Sequence, residues 1–414
     1  MEKCFTVAAI GLGNRGHIYL SYMMDHPDQF KIVALCDKDA NRLALNAKDF
    51  SVPEDKCFTD ENLFFAEKPA DVCIVATQDR DHVGHAIKAL ALGCDLLLEK
   101  PISPSEEECR ELLKAQKKYG GKVFVCHVLR YAPAFLKVKE LLDAGTIGEL
   151  VMIDSIEQVS YFHQAHSFVR GNWRRKDETS PMILAKCCHD LDLLQYYAGS
   201  KADTVSSIGD LRYFKKENAP EGATERCFDC PHVDTCVYSA KYYITGLDPE
   251  SAFRYIATEA RPVTDEALAE SLKTNCYGRC VYFCDNDVVD NEMTMIRFEN
   301  GITANLRMTA FTKNGGRVMK FYGSLGEIVL DEEQGYLDVK CFGKDQKRTS
   351  LSDLTEKGYM HGGGDSRLIN ALHDMLTGEA NGATTLSSSI ESHLMAFAAE
   401  ESRLAGGKVV KVRH

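Results

Sequence analysis

A glycine-rich turn directly after the first apolar segment is the feature that most constrains this 414-residue chain. The strand-like segment Phe5–Ile10 runs into the hexapeptide Gly11-Leu12-Gly13-Asn14-Arg15-Gly16, after which a helical pattern begins. In such a unit Gly11 permits a tight turn, Gly13 lets a bound group approach the backbone, and Gly16 lets helix and strand pack closely. The amides at the helix start then attract phosphate groups. The turn therefore predicts a dinucleotide site, with contacts at the three glycines, Asn14 and Arg15.

An acidic residue stands where a second contact to a dinucleotide is expected. Asp37 ends the next apolar segment, Ile32–Cys36. A carboxylate there accepts hydrogen bonds from the adenosine ribose hydroxyls and repels a 2′-phosphate. Asp37 therefore favours NAD over NADP as the cofactor, although the nearby Lys38 and Arg42 weaken that preference.

The rhythm of apolar segments predicts two domains. Up to residue 126, short apolar segments alternate with helical patterns, which is typical of a parallel sheet covered on both faces. We therefore predict an α/β, doubly wound Rossmann domain over residues 1–126. Beyond it the strands are longer and alternate in polarity, as in Gly301–Phe311. This pattern predicts an α+β domain over 127–414 with an open, mostly antiparallel sheet and a cysteine-rich insertion at about 215–285.

Composition argues against several other classes of protein. The chain has 61 acidic and 49 basic side chains, a net charge of −12, which disfavours a nucleic-acid partner. No apolar run reaches the roughly 18 residues that a membrane span needs, so we expect no membrane partner and a cytoplasmic location. Most of the 16 cysteines stand singly in apolar segments, where a reduced thiol packs as a small apolar side chain.

Cysteines cluster only in the predicted insertion. Cys227, Cys230 and Cys236 have C-x2-C-x5-C spacing, and a fourth ligand is available from Cys276, Cys280 or Cys284, of which Cys280 is our choice. Four thiolates suit a tetrahedral structural zinc ion. An iron–sulfur cluster uses the same ligands, and unligated thiols are a third interpretation.

A lysine follows the fifth apolar segment, at the sheet edge where open α/β folds bind ligands. With its neighbours it forms Glu99-Lys100-Pro101. Together with the glycine turn, Arg130-Tyr131 and His189-Asp190-Leu191-Asp192, this motif resembles the Gfo/Idh/MocA family of sugar and cyclitol oxidoreductases. The resemblance covers essentially the whole chain. It implies an NAD-dependent oxidoreductase that acts on a hydroxyl of a sugar, cyclitol or glycoside.

The resemblance also implies roles for individual residues. Lys100 matches a lysine that sits beside the nicotinamide, next to Glu99, and exchanges a proton with the substrate hydroxyl. His189 matches a second acid/base or hydroxyl-positioning group. Thr77 and His82 match a loop that lies near the nicotinamide ribose.

One position departs from the family pattern. Many members carry an aspartate four residues before the histidine, whereas this chain has Ala185 there, followed by Lys186, which we expect to supply a second catalytic ammonium. The change leaves a redox-neutral alternative open, in which bound NAD transiently oxidises a sugar, elimination cleaves a glycosidic bond and the hydride returns. A non-enzymatic NAD-binding sensor is a third alternative.

The residues before and on the His189 helix are expected to form the substrate wall. Sugars are typically bound by an aromatic face with arginine and amide hydrogen bonds around it, and this region holds the only tryptophan. Asp192, three residues after His189, is expected to orient the imidazole. Because Arg170 and Arg174 lie close together in the sequence, a uronate is an alternative to a neutral sugar as the substrate. The expected substrate-binding residues are Arg130, Tyr131, His166, Arg170, Asn172, Trp173, Arg174 and Asp192.

The open sheet predicts self-association. Helices supply a cover for only one of its faces, and family members commonly pair through the other. We therefore expect a homodimer or a homotetramer.

Overall fold

The computed structural model describes residues 3–258, 260–355, 360–379 and 384–414. The N-terminal part is the predicted doubly wound domain, with six parallel strands in the order β3-β2-β1-β4-β5-β6. The strands are β1 (Phe5–Ile10), β2 (Phe30–Cys36), β3 (Cys57–Phe58), β4 (Val72–Val75), β5 (Asp95–Leu98) and β6 (Val123–Val125). The helices are α1 (Asn14–Met24), α2 (Ala40–Asp49), α3 (Glu61–Phe64), α4 (His82–Ala91) and α5 (Glu106–Tyr119).

Local sequence accounts for these elements. All four residues of β4 are buried, as expected of a strand covered on both faces. Helix α5 begins after Ser105, whose hydroxyl accepts the Glu108 amide, and ends at Gly120 in a positive-φ conformation. The strand order reverses direction between β1 and β4, and open sheets bind ligands at the carboxyl side of such a point.

The C-terminal part contains a nine-stranded sheet in the order β14-β13-β12-β11-β7-β10-β9-β8-β15. The pairing of β7 with β10 is parallel and the other pairings are antiparallel, so the prediction of a mostly antiparallel sheet is confirmed. The strands are β7 (Leu150–Gln158), β8 (Ala202–Asp210), β9 (Asn291–Phe298), β10 (Thr303–Thr309), β11 (Gly316–Gly323), β12 (Gly326–Asp331), β13 (Tyr336–Cys341), β14 (Lys347–Ser350) and β15 (Val410–Lys411).

Helices cover one face of this sheet. Burial alternates along β9, with Ile296 inside and Met293 and Met295 exposed on the other face. The helices are α6 (Pro133–Asp143), α7 (Tyr161–His163), α8 (Met182–Ala185), α9 (Cys188–Ala198), α10 (Tyr242–Thr245), α11 (Ala252–Ala257), α12 (Asp265–Thr274), α13 (Gly364–Thr377) and α14 (Leu386–Leu404). Within the described ranges, none of the helices has the length and apolarity to cross a bilayer.

The last two helices fasten the two sheets together. The Val125 amide donates to the carbonyl oxygen of Thr384, just before α14, at 2.8 Å. The Ile102 amide, after β5, donates to Nε2 of the buried His393 on α14, also at 2.8 Å. The carboxyl ends of β5 and β6 are therefore held by the C-terminal segment of the chain.

The insertion does not form the expected zinc site. Among the residues that the structure describes, no three His, Cys, Asp or Glu side chains are arranged to hold a metal ion, and Cys227, Cys230, Cys236 and Cys280 are free thiols. A cation already occupies this region, because the buried Arg170 guanidinium lies 3.5 Å from Cys227 Sγ. Burial also raises the pKa of Cys236 and of Cys280.

Arg170 instead acts as the polar centre of the insertion. Its Nε donates to the Arg279 carbonyl oxygen and its Nη2 to the Tyr238 carbonyl oxygen, both at 2.6 Å. Three short helices, α10 to α12, and a small aromatic core complete this region, which the sequence had indicated to be irregular. The guanidinium therefore satisfies two backbone carbonyls from separate parts of the insertion.

We expect Arg170→Met to lower the free energy of unfolding by about 3 kcal/mol, because two carbonyls lose a charged donor in a buried place. Chemical denaturation measures the change. Arg175→Met is the matched control, since Arg175 makes a surface pair with Asp177. A variant at 170 as stable as the control would show that Arg170 does not organise the insertion.

Candidate active site

The glycine turn has the geometry of a phosphate cradle. Gly11 has φ +87°, and a Cβ on it would lie 2.5 Å from the Ala76 carbonyl oxygen. A Cβ on Gly16 would lie 2.1 Å from the Gly11 carbonyl oxygen, whereas one on Gly13 would meet nothing within 4 Å. Helix α1 begins at Asn14 with no side-chain cap and no acidic residue in its first turn. The first amides of the helix are thus available to an anion, and the open space beside Gly13 fits a pyrophosphate.

Asp37 lies at the end of β2 and is buried against the glycine turn. Its Oδ2 accepts the Leu12 amide at 2.8 Å, and its Oδ1 accepts the Asp39 amide at 2.9 Å. Nη1 of Arg42 lies 3.2 Å from Oδ1. The carboxylate therefore holds the turn in place, and Arg42 contacts both of its oxygens at the strand end where this fold binds an adenosine ribose. Arg42 compensates its charge.

Arg15 does not point its charge at a phosphate. Its Nε donates to Glu99 Oε1 at 3.0 Å, and its guanidinium also pairs with Asp365 of α13. Burial opposes ionisation of Glu99, but the charges of Arg15 and Lys100 outweigh it and lower the pKa of Glu99. Asp365 also binds Nδ1 of His361 at 2.7 Å. Arg15 and Glu99 thus link the turn to the end of β5 and to α13.

Lys100 follows β5 and reaches across to the second part of the chain. Its Nζ donates to the carbonyl oxygen of Ala185 at 3.2 Å, and no carboxylate of the described residues lies within 4 Å of it. His82 holds the loops on either side, because its Nδ1 lies 2.7 Å from the Pro101 carbonyl oxygen and its Nε2 lies 3.2 Å from that of Thr77. The Thr77 hydroxyl is 3.1 Å from His85 Nδ1. Thr77 and His82 therefore support the position of Lys100.

His189 lies close to Lys100 and is half-buried. Burial, and then the charge of Lys100, lowers the pKa of His189, so its imidazole is neutral at neutral pH. Its buried Nδ1 has no hydrogen-bond partner within the described part of the chain. The ring of His127 meets it edge to face at 5.8 Å. A neutral, half-buried imidazole can exchange hydrogen bonds with a substrate hydroxyl.

Asp192 does not orient His189 as expected. Both of its oxygens accept 2.6 Å hydrogen bonds from the Arg130 guanidinium, and both residues are buried. His127 Nε2 lies 3.8 Å from Asp192 Oδ1. Tyr131 is bound to Thr384 through its hydroxyl. Arg130, Tyr131 and Asp192 thus pack the wall behind the site, because their polar atoms are used within the protein.

Lys186 belongs to a buried ionic network. Its Nζ lies 3.1 Å from Glu157 Oε1, and Arg317 Nη2 lies 2.7 Å from Glu157 Oε2. Arg317 Nε also donates to Asp190 Oδ1 at 2.8 Å. Burial, with the neighbouring Glu157 carboxylate, outweighs the effect of Arg317 and raises the pKa of Asp190 to about 7. Lys186 and Asp190 lie before and after His189 in the sequence. They are held by Glu157 on β7 and by Arg317 on β11.

Only part of the expected substrate wall faces the site. Trp173 donates from Nε1 to Asp79 Oδ1 at 3.2 Å, which brings it against the loop after β4. Asn172 is exposed. Arg174 pairs with Asp285 and Glu178. Arg170, buried in the insertion, is likewise not available to a substrate.

His166 is also wrong as a substrate contact. It is buried, its Nδ1 lies 2.5 Å from the Tyr243 hydroxyl, and its ring stacks on Tyr277 at 4.5 Å. The aromatic core of the insertion covers it, because several rings from α10 to α12 converge there.

Three residues of the site, Glu157, Arg317 and His127, were not predicted from the sequence. Glu157 and Arg317 face each other across β7 and β11. A charged residue at a buried position of an alternating strand is the signal that could have found Glu157. His127 directly follows β6, at the same sheet edge as Lys100, and that position is its only sequence signal.

Comparisons with known proteins place the chain in a family. An oxidoreductase-family model described as an NAD-binding Rossmann fold matches residues 5–127, and a model for the family's C-terminal alpha/beta domain matches residues 139–412. The putative oxidoreductase YteT of Bacillus subtilis is 25% identical over 408 residues, which cover 91% of this chain and 92% of YteT. Inositol 2-dehydrogenase of Corynebacterium glutamicum is 23% identical over 206 residues, and the match spans 50% of this chain and 57% of that enzyme.

Solved structures share the fold. Levoglucosan dehydrogenase, in a complex with NADH and levoglucosan, superposes with a TM-score of 0.72 at 17% identity, and the match covers all of both chains. At that identity the likeness concerns the architecture. Because the two family models together span nearly the whole sequence, the chain belongs to the Gfo/Idh/MocA oxidoreductase family and carries its NAD-binding Rossmann domain.

Proposed function

We propose that this protein is an NAD-dependent oxidoreductase that moves a hydride between a hydroxyl-bearing carbon of a carbohydrate or cyclitol and the nicotinamide. The observation that carries the proposal is the position of Lys100. It follows β5 at the ligand-binding edge of the Rossmann sheet, and its ammonium reaches the helix corner that carries His189. The relatives named above include dehydrogenases of inositol and levoglucosan and do not favour redox-neutral cleavage.

The residues of the turn fit the cofactor. The amides at the start of α1 would hold the pyrophosphate, the free space at Gly13 would admit it, and Asp37 would accept the adenosine ribose hydroxyls. Bound NAD supplies a hydride acceptor. Thr77 and His82 position the loop beside Lys100 through the contacts described above.

Two side chains then manage the substrate hydroxyl. Lys100 takes its proton as the free amine and becomes the ammonium, and no carboxylate of the described residues holds its Nζ in an ion pair. His189, neutral and half-buried, binds the same or an adjacent hydroxyl and fixes its orientation. Lys186 supplies a further ammonium that is anchored by Glu157.

Lys100→Met is expected to lower turnover by about 10²–10⁴, the usual contribution of a general acid or base, while NAD affinity stays nearly unchanged. Steady-state production of NADH and calorimetric titration of NAD measure the two quantities. Lys273→Met, which removes a lysine paired only at the surface with Glu270, is the control. Turnover above about a tenth of wild type would contradict the role of Lys100.

The glycine turn provides a matched pair of variants for the cofactor site. Gly13→Ala has room for its Cβ, so we expect an unchanged unfolding midpoint and an NAD dissociation constant raised at least about 10-fold. Gly16→Ala meets the Gly11 carbonyl oxygen, so its unfolding midpoint should fall. Equal NAD affinity for Gly13→Ala and wild type would refute the assignment of the pyrophosphate to this turn.

Titration of wild type with NADP is expected to show weaker binding than NAD, and the opposite order would refute the ribose contact of Asp37.

We further propose that the protein forms a homodimer, or a dimer of dimers, through the open face of the nine-stranded sheet. Ile208, Met293 and Met295 are each more than half exposed on this face of β8 and β9. An exposed apolar surface of this kind is characteristic of an interface.

Light scattering is expected to give a mass of at least two chains, against 46.1 kDa for one. Met295→Glu should shift the mass toward one chain, because a carboxylate would be buried without a partner. Leu63→Glu, an exposed position in α3, should not. A wild-type mass of one chain would exclude the assembly.

A further inference from the structure

The cations near Lys100 stand between the cleft and the acidic groups. Lys100, Lys186 and His189 are half-buried, whereas the carboxylates of Glu157 and Asp190 are 1% and 0% exposed. Each of the two carboxylates is paired with Arg317. The two lysines of this region are therefore more exposed than the carboxylates of Glu157 and Asp190.

A further histidine, His163, lies near the same basic groups. Burial, and then the charges of Lys186, His166, Lys100 and Arg317, lowers the pKa of His163. The corresponding charges around His189 are also basic groups. Glu332 is the partly exposed acid of this region, and its Oε2 accepts the Arg317 amide at 2.7 Å. Lys100 and Arg317 are thus basic groups near both imidazoles.

Lys186 retains hydrogen-bonding capacity. An ammonium has three donors, and Glu157 is its one carboxylate partner among the described residues. That carboxylate also pairs with Arg317, which has Asp190 as a further partner. The Lys186 side chain is 19% exposed, so it is not closed off from solvent. Ala185, beside it, contributes no charge of its own.

We propose that the substrate carries a carboxylate and that Lys186 binds it, so that the preferred substrate class is a sugar acid such as a uronate. This inference rests on the proposed function. The sequence offers Arg170 and Arg174 for an acidic substrate, but Arg170 binds the Arg279 carbonyl oxygen and Arg174 pairs with Asp285. We therefore assign the recognition of the carboxylate to Lys186. A charge-assisted hydrogen bond to an ammonium in a half-buried place favours the acid over its neutral parent by about 10- to 100-fold.

The test compares aldoses with the uronates that differ from them only at C6: glucose with glucuronate, galactose with galacturonate, and mannose with mannuronate. We expect kcat/KM for a uronate to exceed that for its parent by at least about 10-fold in wild type. Lys186→Met should reduce this ratio by about 10- to 100-fold, mainly through KM, and Lys186→Arg should keep most of it. Lys273→Met should leave the ratio unchanged.

A binding measurement runs in parallel and does not depend on turnover. In the presence of NADH, a uronate should raise the unfolding midpoint of wild type more than its parent sugar does, and Lys186→Met should abolish the difference. The unfolding midpoint of the variant without sugar verifies that it is folded, and Lys186→Arg repeats the comparison with the charge retained.

The outcomes separate the two proposals. Equal or better use of the neutral sugars, or an equal fall of kcat on both members of a pair in Lys186→Met, would overturn the anion-binding role. Uronates that bind only when Lys186 is present, without NADH production, would support that role and contradict the proposed oxidation of these sugars. The absence of any uronate-specific binding would refute the inference, and NADH production from a neutral sugar would then leave the proposed function standing.

Discussion

The buried ion pair between Glu157 and Arg317 holds the part of the structure that carries the candidate chemistry. The two residues are direct partners in the antiparallel pairing of β7 with β11. Each has one further charged partner on the helix corner above the sheet, Lys186 for the carboxylate and Asp190 for the guanidinium. His189 lies between those two positions in the sequence. Removal of either member of the pair would leave an uncompensated buried charge, which costs about 3–5 kcal/mol.

Hydrogen bonds and ion pairs with fixed directions also hold the two sheets together. Lys100 reaches the Ala185 carbonyl from the first sheet, and Arg15 ties the glycine turn to Glu99 and Asp365. These links have fixed directions, whereas apolar packing alone would tolerate a small rotation of one sheet against the other. The cofactor turn and the helix corner are thus held at a defined separation. A hydride transfer requires such precision, because the reacting atoms must meet at close range.

Burial also sets the protonation states in the cleft. The imidazoles of His127 and His189 lie under cover and near cations, and both effects lower their pKa values; for His127 the value is about 4. They are neutral at neutral pH and can donate and accept hydrogen bonds. Asp190 behaves differently, since burial raises its pKa to about 7 while Arg317 resists the change.

The sequence by itself determined the features that depend on neighbouring residues. The glycines of the turn were recognisable because only glycine fits a positive φ or the close approach seen at Gly11 and Gly16. The period of the apolar residues predicted the parallel sheet and the mostly antiparallel one, and the strand-end rule predicted the places of Asp37 and Lys100.

Only the tertiary structure decided which charged groups meet. Arg170 and His166 looked like ligand-binding residues, but a distant segment of the chain covers them with carbonyls and aromatic rings. The cysteines had the spacing of a metal site, yet the Arg170 guanidinium took the place of a cation. Glu157 is recognisable as a site residue only through its ion pair with Arg317, which lies on a strand far along the chain. The physical reason is that spacing rules act within a few residues, whereas the partner of a buried charge is chosen by strand register and burial across the whole fold.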